Sequence, residues 1–294
     1  MSPRWAAVVV AYESGPLLTD CVGALLTDDS AGGPPEVVVV DNGSGDGSIE
    51  RLGATHPEVA VLRPGANLGY ARAANLGTAA TRAPIVAVIN PDALVTPGAG
   101  AAVLARFDAD AHLGAVGPRI LESDGSVYPS ARRVPSTRDA IGHAVLGTIR
   151  PHNAATRRYR ELDADPEVAR EVDWVSGAAV WLRRSALDAI GGWDEGYFMY
   201  VEDVDLCWRL GRAGWTVAYE PTATVSHVQG VSTAGHPYRM VVAHHRSTLR
   251  FAGKRWHGVR RVLLAPLVVL LAVRAGLVIA VRWARPERAA AGLG

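Results

Sequence analysis

Hydrophobic residues in the first 110 positions follow two alternating patterns. Short continuous apolar runs, rich in valine, predict strands buried on both faces of a sheet, and they cover residues 5–11, 36–40, 59–62 and 85–89. Apolar residues at helical spacing predict helices between them, over residues 17–26 and 71–81. Because strands that alternate with helices form βαβ units, we expect an α/β fold built on an open twisted sheet.

Polar residues follow three of the predicted strands, at the edge where such sheets bind ligands. These segments are residues 12–14, 41–44 and 90–92. Asp41 is placed to accept hydrogen bonds from a ribose or a base, although Asp-Asn-Gly is also an ordinary turn sequence. Asp92 is placed to bind a divalent cation, which prefers oxygen ligands, although Asn-Pro is also a routine strand end. None of these strands is followed by the glycine pattern of a dinucleotide site or a P-loop.

The pattern weakens between residues 110 and 170, where we expect loops and short elements over the edge of the sheet. Order returns with a predicted strand over residues 172–182, in which Gly177 would allow close backbone approach. A short strand is predicted over residues 216–219, and His227 lies a few residues beyond it. Lone histidines are usually structural, so His227 is a candidate only through its neighbours.

Three acids, Glu202, Asp203 and Asp205, lie in the first turn of a helix that the apolar spacing predicts. Carboxylates are favoured at a helix N-terminus, so a solvated and well-capped helix would explain them without a function. Two features favour a function instead. The acids are close enough to repel one another, and apolar and aromatic residues flank them. Such surroundings hold a carboxylate ready for proton transfer.

Charge is distributed unevenly along the chain. Residues 250–294 hold nine Lys and Arg against one acid, whereas the whole 294-residue chain has a net charge of +1. Residues 262–281 of this tail are apolar apart from one proline, Arg274 and one glycine. A membrane span is possible in length, but a central arginine costs at least ~2.5 kcal/mol there. The pattern therefore favours basic helices lying in the surface of an anionic bilayer, with a plain core helix as the alternative.

Composition narrows the functions a little further. Cys21 and Cys207 both lie in apolar helical patterns, so we expect buried thiols in a reducing compartment and neither a disulfide nor a metal site. The residues before the basic tail carry a net negative charge, which disfavours a nucleic-acid partner.

Taken together, the motifs resemble one family. They occur in the order AYES, VVVVDNGSGDGS, NLGYARAANLG, VINPD, the stretch over residues 174–209, and SHVQG. This order is similar to that of family 2 glycosyltransferases of the GT-A fold, and the likeness to the bacterial rhamnosyltransferase branch is strongest. The resemblance covers about residues 4–250. It implies a mixed sheet flanked by helices in a GT-A domain over residues 1–255, with its nucleotide-binding half in about the first 110 residues and its acceptor half after them. A membrane-associating helical tail would follow over residues 256–294.

The resemblance also implies roles for individual residues. Asn90 stands where the family has the first Asp of its metal-binding Asp-x-Asp motif, so Mg²⁺ or Mn²⁺ would rest more heavily on Asp92 and His227. Asp203 matches the family's general base, while its two acidic neighbours would either raise its pKa or orient the acceptor. Trp174 and Gly177 are candidates for acceptor binding. The residues expected on the donor side are Tyr12, Glu13, Asp41, Asn67, Arg72, Asn90 and Asp92.

The implied reaction is a single displacement with inversion at the anomeric carbon. The expected donor is dTDP-rhamnose, and the expected acceptor is a lipid-linked saccharide such as polyprenyl-diphosphate N-acetylglucosamine. This reaction belongs to cell-envelope polysaccharide synthesis, at the cytoplasmic face of the plasma membrane, with the protein peripheral or monotopic there. A different donor sugar stays open, because selectivity lies in pocket shape and not in a motif.

Two other classes of protein compete with this interpretation. A non-catalytic module that binds nucleotide sugars would leave Asp203 unexplained. A sugar nucleotidylyltransferase would need a glycine-rich basic loop after the first strand, and residues 11–18 do not provide one.

Overall fold

The computed structural model describes residues 3–134, 142, 150, 153–228 and 237–284. Within these residues the strands are β1 (Trp5–Ala11), β2 (Glu36–Asp41), β3 (Ala60–Leu62), β4 (Ile85–Ile89), β5 (Ala93–Val95), β6 (Leu113–Leu121), β7 (Val127–Tyr128), β8 (Ala131–Arg132), β9 (Arg170–Glu171), β10 (Trp174–Val175), β11 (Ala179–Arg183) and β12 (Thr216–His227). The helices are α1 (Leu17–Thr27), α2 (Ser48–Thr55), α3 (Tyr70–Ala79), α4 (Ala99–Ala109), α5 (Ala154–Arg160), α6 (Arg184–Ala189), α7 (Glu202–Arg212), α8 (Pro237–Arg255) and α9 (Leu264–Ala284), with a 3₁₀ turn at Gly258–Leu263.

A central mixed sheet organises the molecule. Its main strand order is β3-β2-β1-β4-β11-β6-β12-β5. Strands β1 to β4 run parallel, β11 is antiparallel to both of its neighbours, and β12 is parallel to β6. Helices α1, α2 and α4 pack on one face of the sheet, and α3, α6 and α7 pack on the other. The predicted α/β fold, with helices on both faces of an open mixed sheet, is confirmed.

Strand β6 corrects the prediction of loops and short elements between residues 110 and 170. It is nine residues long and lies inside the sheet, between β11 and β12. Its glycines weaken the apolar pattern, yet packing requires them. A Cβ on Gly117 would lie 2.5 Å from the Cβ of Val175, and one on Gly114 would lie 2.8 Å from the Cβ of Trp215. Gly114 and Gly117 therefore weaken the apolar pattern of β6 and also let neighbouring elements approach the strand.

Two further strands differ from their predicted bounds, and both differences matter for the site. The strand predicted over residues 172–182 is divided into β10 and β11 by Ser176, Gly177 and Ala178. The strand predicted over residues 216–219 continues as β12 to His227, through an irregularity between Glu220 and Thr224. This extension carries His227 to the carboxyl edge of β4, next to Asp92.

Helix α8 is attached to the domain by polar contacts. Ser247 Oγ donates to the carbonyl oxygen of Met199 over 2.9 Å, and Lys254 Nζ lies 2.5 Å from Asp205 Oδ1. Because these contacts reach the segment before α7 and α7 itself, α8 belongs structurally to the domain that carries the acids.

Helix α9 packs against α8 and leaves one apolar face uncovered. Leu271 is 6% exposed, whereas Val269, Val273 and Leu277 are more than half exposed. By length and composition alone, Gly258–Ala280 is long and apolar enough to cross a membrane. The association of the tail with a membrane therefore stays a prediction.

Candidate active site

The acidic helix α7 begins with an unusual backbone. Tyr200 and Val201 both have positive φ, 68° and 67°, immediately before Glu202 starts the helix. This conformation is unfavourable for a residue with a Cβ, and most of all for a β-branched valine. Strained backbone of this kind persists where the surrounding structure imposes it, and it is concentrated at functional sites. Here it lies directly before Glu202 and Asp203, the first two carboxylates of α7.

Asp203 is held by backbone donors. Its Oδ2 accepts a hydrogen bond from the N–H of Gly177 over 2.9 Å, and its Oδ1 accepts one from the N–H of Val204 over 2.8 Å. A Cβ on Gly177 would lie 3.3 Å from the Cβ of Asp203, so glycine suits this close approach. Asp203 nevertheless stays partly exposed, which leaves its carboxylate within reach of a substrate.

Glu202 and Asp203 form a pair of acids in a poorly solvated place. Glu202 is 8% exposed, and its Oε2 has no hydrogen-bond partner among the described residues. Burial raises the pKa of Glu202, and the neighbouring charge of Asp203 raises it further. Burial also raises the pKa of Asp203, against the opposing effects of its two backbone donors and of Arg132. Glu202 therefore holds a proton more readily than an ordinary glutamate, next to the carboxylate of Asp203, which can accept a proton from a substrate.

Asp205, the third acid, is not brought to this site. Its side chain is completely buried, 2.7 Å from Arg209 Nε and 2.5 Å from Lys254 Nζ, and it accepts a hydrogen bond from the hydroxyl of Tyr197. These contacts use the carboxylate to join α7 to α8. The structure therefore gives Asp205 a structural position and not the catalytic one that the sequence suggested.

Asp92 and His227 converge at the edge of the sheet. Strand β5 follows Asp92 and pairs with the end of β12, so that Ala93 lies opposite His227. The Nε2 of His227 is 3.0 Å from Asp92 Oδ1, and both side chains are largely buried. The Nδ1 of His227 has no hydrogen-bond partner among the described residues. Asn90, two residues before Asp92, is held through its backbone N–H by the carbonyl of Ala178 and is half-buried.

The side chains of Asp92 and His227 fit a hard divalent cation if other ligands complete its coordination. They offer one carboxylate and one imidazole, and the described residues contain no group of three or more His, Cys, Asp or Glu that could hold a metal. Mg²⁺ and similar cations commonly take one or two protein carboxylates and complete their coordination with water and substrate phosphates. The pair therefore suits a metal that arrives with, or is completed by, a phosphate-bearing substrate.

Tyr70 connects the two groups of acids, and sequence reasoning missed it. Its hydroxyl donates to the carbonyl oxygen of Gly177 over 2.7 Å, on the same residue whose N–H holds Asp203. Burial raises the pKa of Tyr70, and the charges of Glu202, Asp203 and Asp92 raise it further. Its hydroxyl therefore lies near enough to the acid pair and to the carboxylate beside His227 for all three charges to act on it. The available signal was its place in the NLGYARAANLG motif, which attracted attention only to Asn67 and Arg72.

The ends of β1 and β2 carry the residues expected on the donor side. Asp41 Oδ1 accepts hydrogen bonds from the N–H groups of Gly43 and Ser44, at 3.2 and 2.8 Å. Glu13 has a φ of 47°, and its Oε1 accepts the N–H of Gly45 over 2.9 Å. The exposed Asn67 lies beside this loop and accepts a hydrogen bond from the side-chain amide of Asn42. Tyr12 is half-buried directly after β1. These residues share one edge of the sheet, as predicted from their positions after strands.

Two predicted residues have contacts of a different kind. Arg72 is largely exposed, and its Nε is 3.2 Å from Glu195 Oε2. Trp174 is 5% exposed, and its indole N–H donates to the carbonyl oxygen of Arg133. The ring of Trp174 contacts Arg132, whose guanidinium carbon lies 5.1 Å from the ring centroid. The roles of Arg72 in donor binding and of Trp174 in acceptor binding stay predictions.

The comparison with known proteins shows the family of this chain. The family described as "Glycosyltransferase like family 2" matches residues 3–245. The N-acetylglucosaminyl-diphospho-decaprenol L-rhamnosyltransferase of Mycobacterium tuberculosis is 42% identical over 262 residues, which are 85% of this chain and 84% of the relative. Rhamnosyltransferase WbbL of Escherichia coli is 34% identical over 126 residues, 43% of this chain and 45% of the relative.

Solved structures agree on the fold. The mannosyltransferase PcManGT of Pyrobaculum calidifontis, in complex with GDP-Man and Mn²⁺, matches all of this chain and 77% of its own at a TM-score of 0.55 and 20% identity. The protein is thus a glycosyltransferase with the GT-A architecture. It belongs to glycosyltransferase family 2.

Proposed function

We propose that the protein is an inverting, metal-dependent rhamnosyltransferase that moves L-rhamnose from dTDP-rhamnose to a lipid-linked N-acetylglucosamine diphosphate. The observation that carries the proposal is the arrangement around Tyr70. Its hydroxyl donates to the carbonyl oxygen of Gly177, whose N–H holds Asp203, and its pKa is raised by burial and further by the charges of Asp203 and of Asp92, which contacts His227. The mycobacterial relative named for this reaction, with 42% identity, supports the choice of sugar and acceptor.

Asp203 would act as the general base. Its carboxylate is partly exposed, and its raised pKa makes it a better proton acceptor than an ordinary aspartate. Both oxygens already accept a backbone N–H, so the orientation of the carboxylate is fixed before substrate binds. An acceptor hydroxyl that donates its proton to Asp203 could attack the anomeric carbon from the face opposite the leaving diphosphate, which inverts the configuration.

Asp92 and His227 would hold the cation, Mg²⁺ or Mn²⁺. Such a cation neutralises the charge that develops on the leaving nucleoside diphosphate. The metal-bound GT-A structures that share this fold support a divalent ion, since the mannosyltransferase PcManGT is described with Mn²⁺. Asp41, Glu13 and Tyr12 would bind the nucleotide at the other end of the cleft, through backbone and carboxylate groups that the loop after β2 keeps in place.

We also propose that the tail holds the enzyme on the cytoplasmic face of the plasma membrane. The support is the uncovered apolar face of α9 together with nine Lys and Arg against one acid over residues 250–294. A lipid-linked acceptor would then meet the site at the surface where it is dissolved.

The test is a donor screen with the purified full-length chain. Nucleoside diphosphate release would be followed with polyprenyl-diphosphate N-acetylglucosamine as acceptor, for dTDP-rhamnose and for UDP- and GDP-linked sugars, with Mg²⁺ or Mn²⁺. We expect release with dTDP-rhamnose that depends on both the acceptor and the metal. Release with another donor alone would replace rhamnose in the proposal. Tight donor binding without release from any donor would favour a non-catalytic binding module.

A further inference from the structure

Arg132, at the end of β8, is a buried cation beside the acid pair. It is 7% exposed, and its Nε donates to the carbonyl oxygen of Pro129 over 2.6 Å. Its Nη2 donates to the hydroxyl of Tyr128 over 2.7 Å, and the rings of Tyr159 and Trp174 lie 5.8 and 5.1 Å from its guanidinium carbon. All of these partners are neutral.

No carboxylate among the described residues lies within ion-pair distance of Arg132. Buried charges are normally paired, because desolvation is costly without a counter-charge. The neighbouring Arg133 shows the usual arrangement, since its side chain is 71% exposed and its Nε is 2.8 Å from Glu161 Oε1. A second arginine is close, because the charge of Arg132 contributes, after burial, to lowering the pKa of Arg160. A buried guanidinium without a carboxylate partner among the described residues suits an anionic ligand.

The neighbours of Arg132 in the fold place its guanidinium on the acceptor side of the general base. Strand β8 pairs with β10 so that Arg132 lies opposite Trp174, and Gly177, which follows β10, donates to Asp203. The charge of Arg132 is felt at Asp203, whereas the pair proposed to hold the donor diphosphate lies at the end of β12. A phosphate near Arg132 would therefore belong to a molecule that presents its hydroxyl to Asp203.

We propose that Arg132 binds the diphosphate of the lipid-linked acceptor and thereby selects acceptors that carry one. This inference rests on the proposed function, which supplies an acceptor of that chemistry. A guanidinium has five N–H donors, and the contacts with Pro129, Tyr128 and Tyr159 use three of them, so two have no acceptor in the part of the chain that the structure describes and can serve a phosphate oxygen. The aromatic rings hold the guanidinium in one orientation without neutralising it.

The test compares two acceptors that differ only in charge. One is N-acetylglucosamine linked through a diphosphate to a short prenyl chain, and the other is a neutral alkyl glycoside of N-acetylglucosamine with a chain of equal length. Arg132→Met should raise the KM for the diphosphate acceptor at least about tenfold, the value of one charge-assisted hydrogen bond. It should change the KM for the neutral acceptor and the KM for dTDP-rhamnose by less than about twofold. Arg133→Met is the matched control, because it removes an exposed and paired arginine one residue away, and it should change neither acceptor KM.

Two outcomes with folded Arg132→Met overturn the assignment. An equal loss with both acceptors would mean that Arg132 supports Asp203 or the fold, and a higher KM for dTDP-rhamnose alone would make the donor the source of the phosphate. If Arg132→Met does not fold, Arg132→Lys carries the same comparison, with an intermediate rise for the diphosphate acceptor expected. If the wild-type enzyme turns over neither acceptor, the proposed function fails. Calorimetric binding of the diphosphate acceptor to wild type and to Arg132→Met then still tests the site, and equal affinities would refute it.

Discussion

Replacing Asp203 by asparagine tests the proposed base most directly, and the structure shows that the change has two effects. The first is the loss of a proton acceptor, which should lower turnover at least ~100-fold. The second is structural. Both carboxylate oxygens accept a backbone N–H, from Gly177 and Val204, and an asparagine offers one oxygen only. One N–H is left without a partner, at a cost of about 1–3 kcal/mol in stability.

The assay must separate these effects. Turnover would be measured as nucleoside diphosphate release, donor affinity by direct titration, and stability by thermal unfolding. We expect Asp203→Asn to bind the donor within a few-fold of wild type, to melt at a lower temperature and to be nearly inactive. Asp173→Asn is a suitable control, because Asp173 also accepts a backbone N–H, from Val134 over 2.8 Å, but is exposed. If Asp203→Asn retains more than about a tenth of wild-type turnover while folded, Asp203 is not the general base.

Four further predictions follow from the same contacts. The pKa of Glu202 is raised in the folded state, so its contribution to stability is present at low pH and lost as the pH rises; Glu202→Gln should make the melting temperature less dependent on pH between about pH 5 and about pH 8, and an unchanged dependence would contradict the burial argument. Asp92→Ala should raise the metal concentration needed for activity at least about tenfold, and full wild-type activity in excess chelator would refute metal dependence. Asp41→Ala should raise the donor KM about tenfold with little change in kcat, while unchanged donor affinity in a titration would leave Asp41 only its turn-forming role. Deletion from Val259 onward should abolish co-sedimentation with anionic vesicles and preserve turnover of a water-soluble acceptor; loss of the folded domain would instead show that the packing of Leu271 is essential.

Part of this fold could be predicted because its signals are local. A strand buried on both faces must be a continuous apolar run, so β1, β2 and β4 are visible in the sequence to within a residue. The same rule exposes the polar residues that follow them, and Asp41 and Asp92 do lie at one edge of the sheet. Strand ends in a parallel sheet share an edge whatever the rest of the chain does.

The remainder depends on contacts between distant residues, which no local pattern shows. Strand β6 is interrupted by glycines whose presence is explained only by Val175 and Trp215, about 60 and 100 residues away. Tyr70, at the start of α3, becomes part of the site because its hydroxyl reaches Gly177 in the connection between β10 and β11. Arg132 lies in the region where the pattern was weakest, and its burial follows from aromatic rings contributed by three separate elements.

The three acids of α7 show why residue type alone could not complete the assignment. Successive helical residues point about 100° apart, so neighbours in the sequence enter different surroundings. Glu202 is buried, and one of its oxygens has no hydrogen-bond partner among the residues that the structure describes. Asp203 accepts two backbone N–H groups, and Asp205 contacts Arg209 and Lys254. The ion pairs of Asp205 join α7 to α8, whereas the two backbone N–H groups fix the orientation of Asp203, and burial raises the pKa of Asp203 against their opposing effect. The orientation of Asp203 therefore comes from Gly177 and Val204 and its raised pKa from burial, neither of which can be read from the three acids alone.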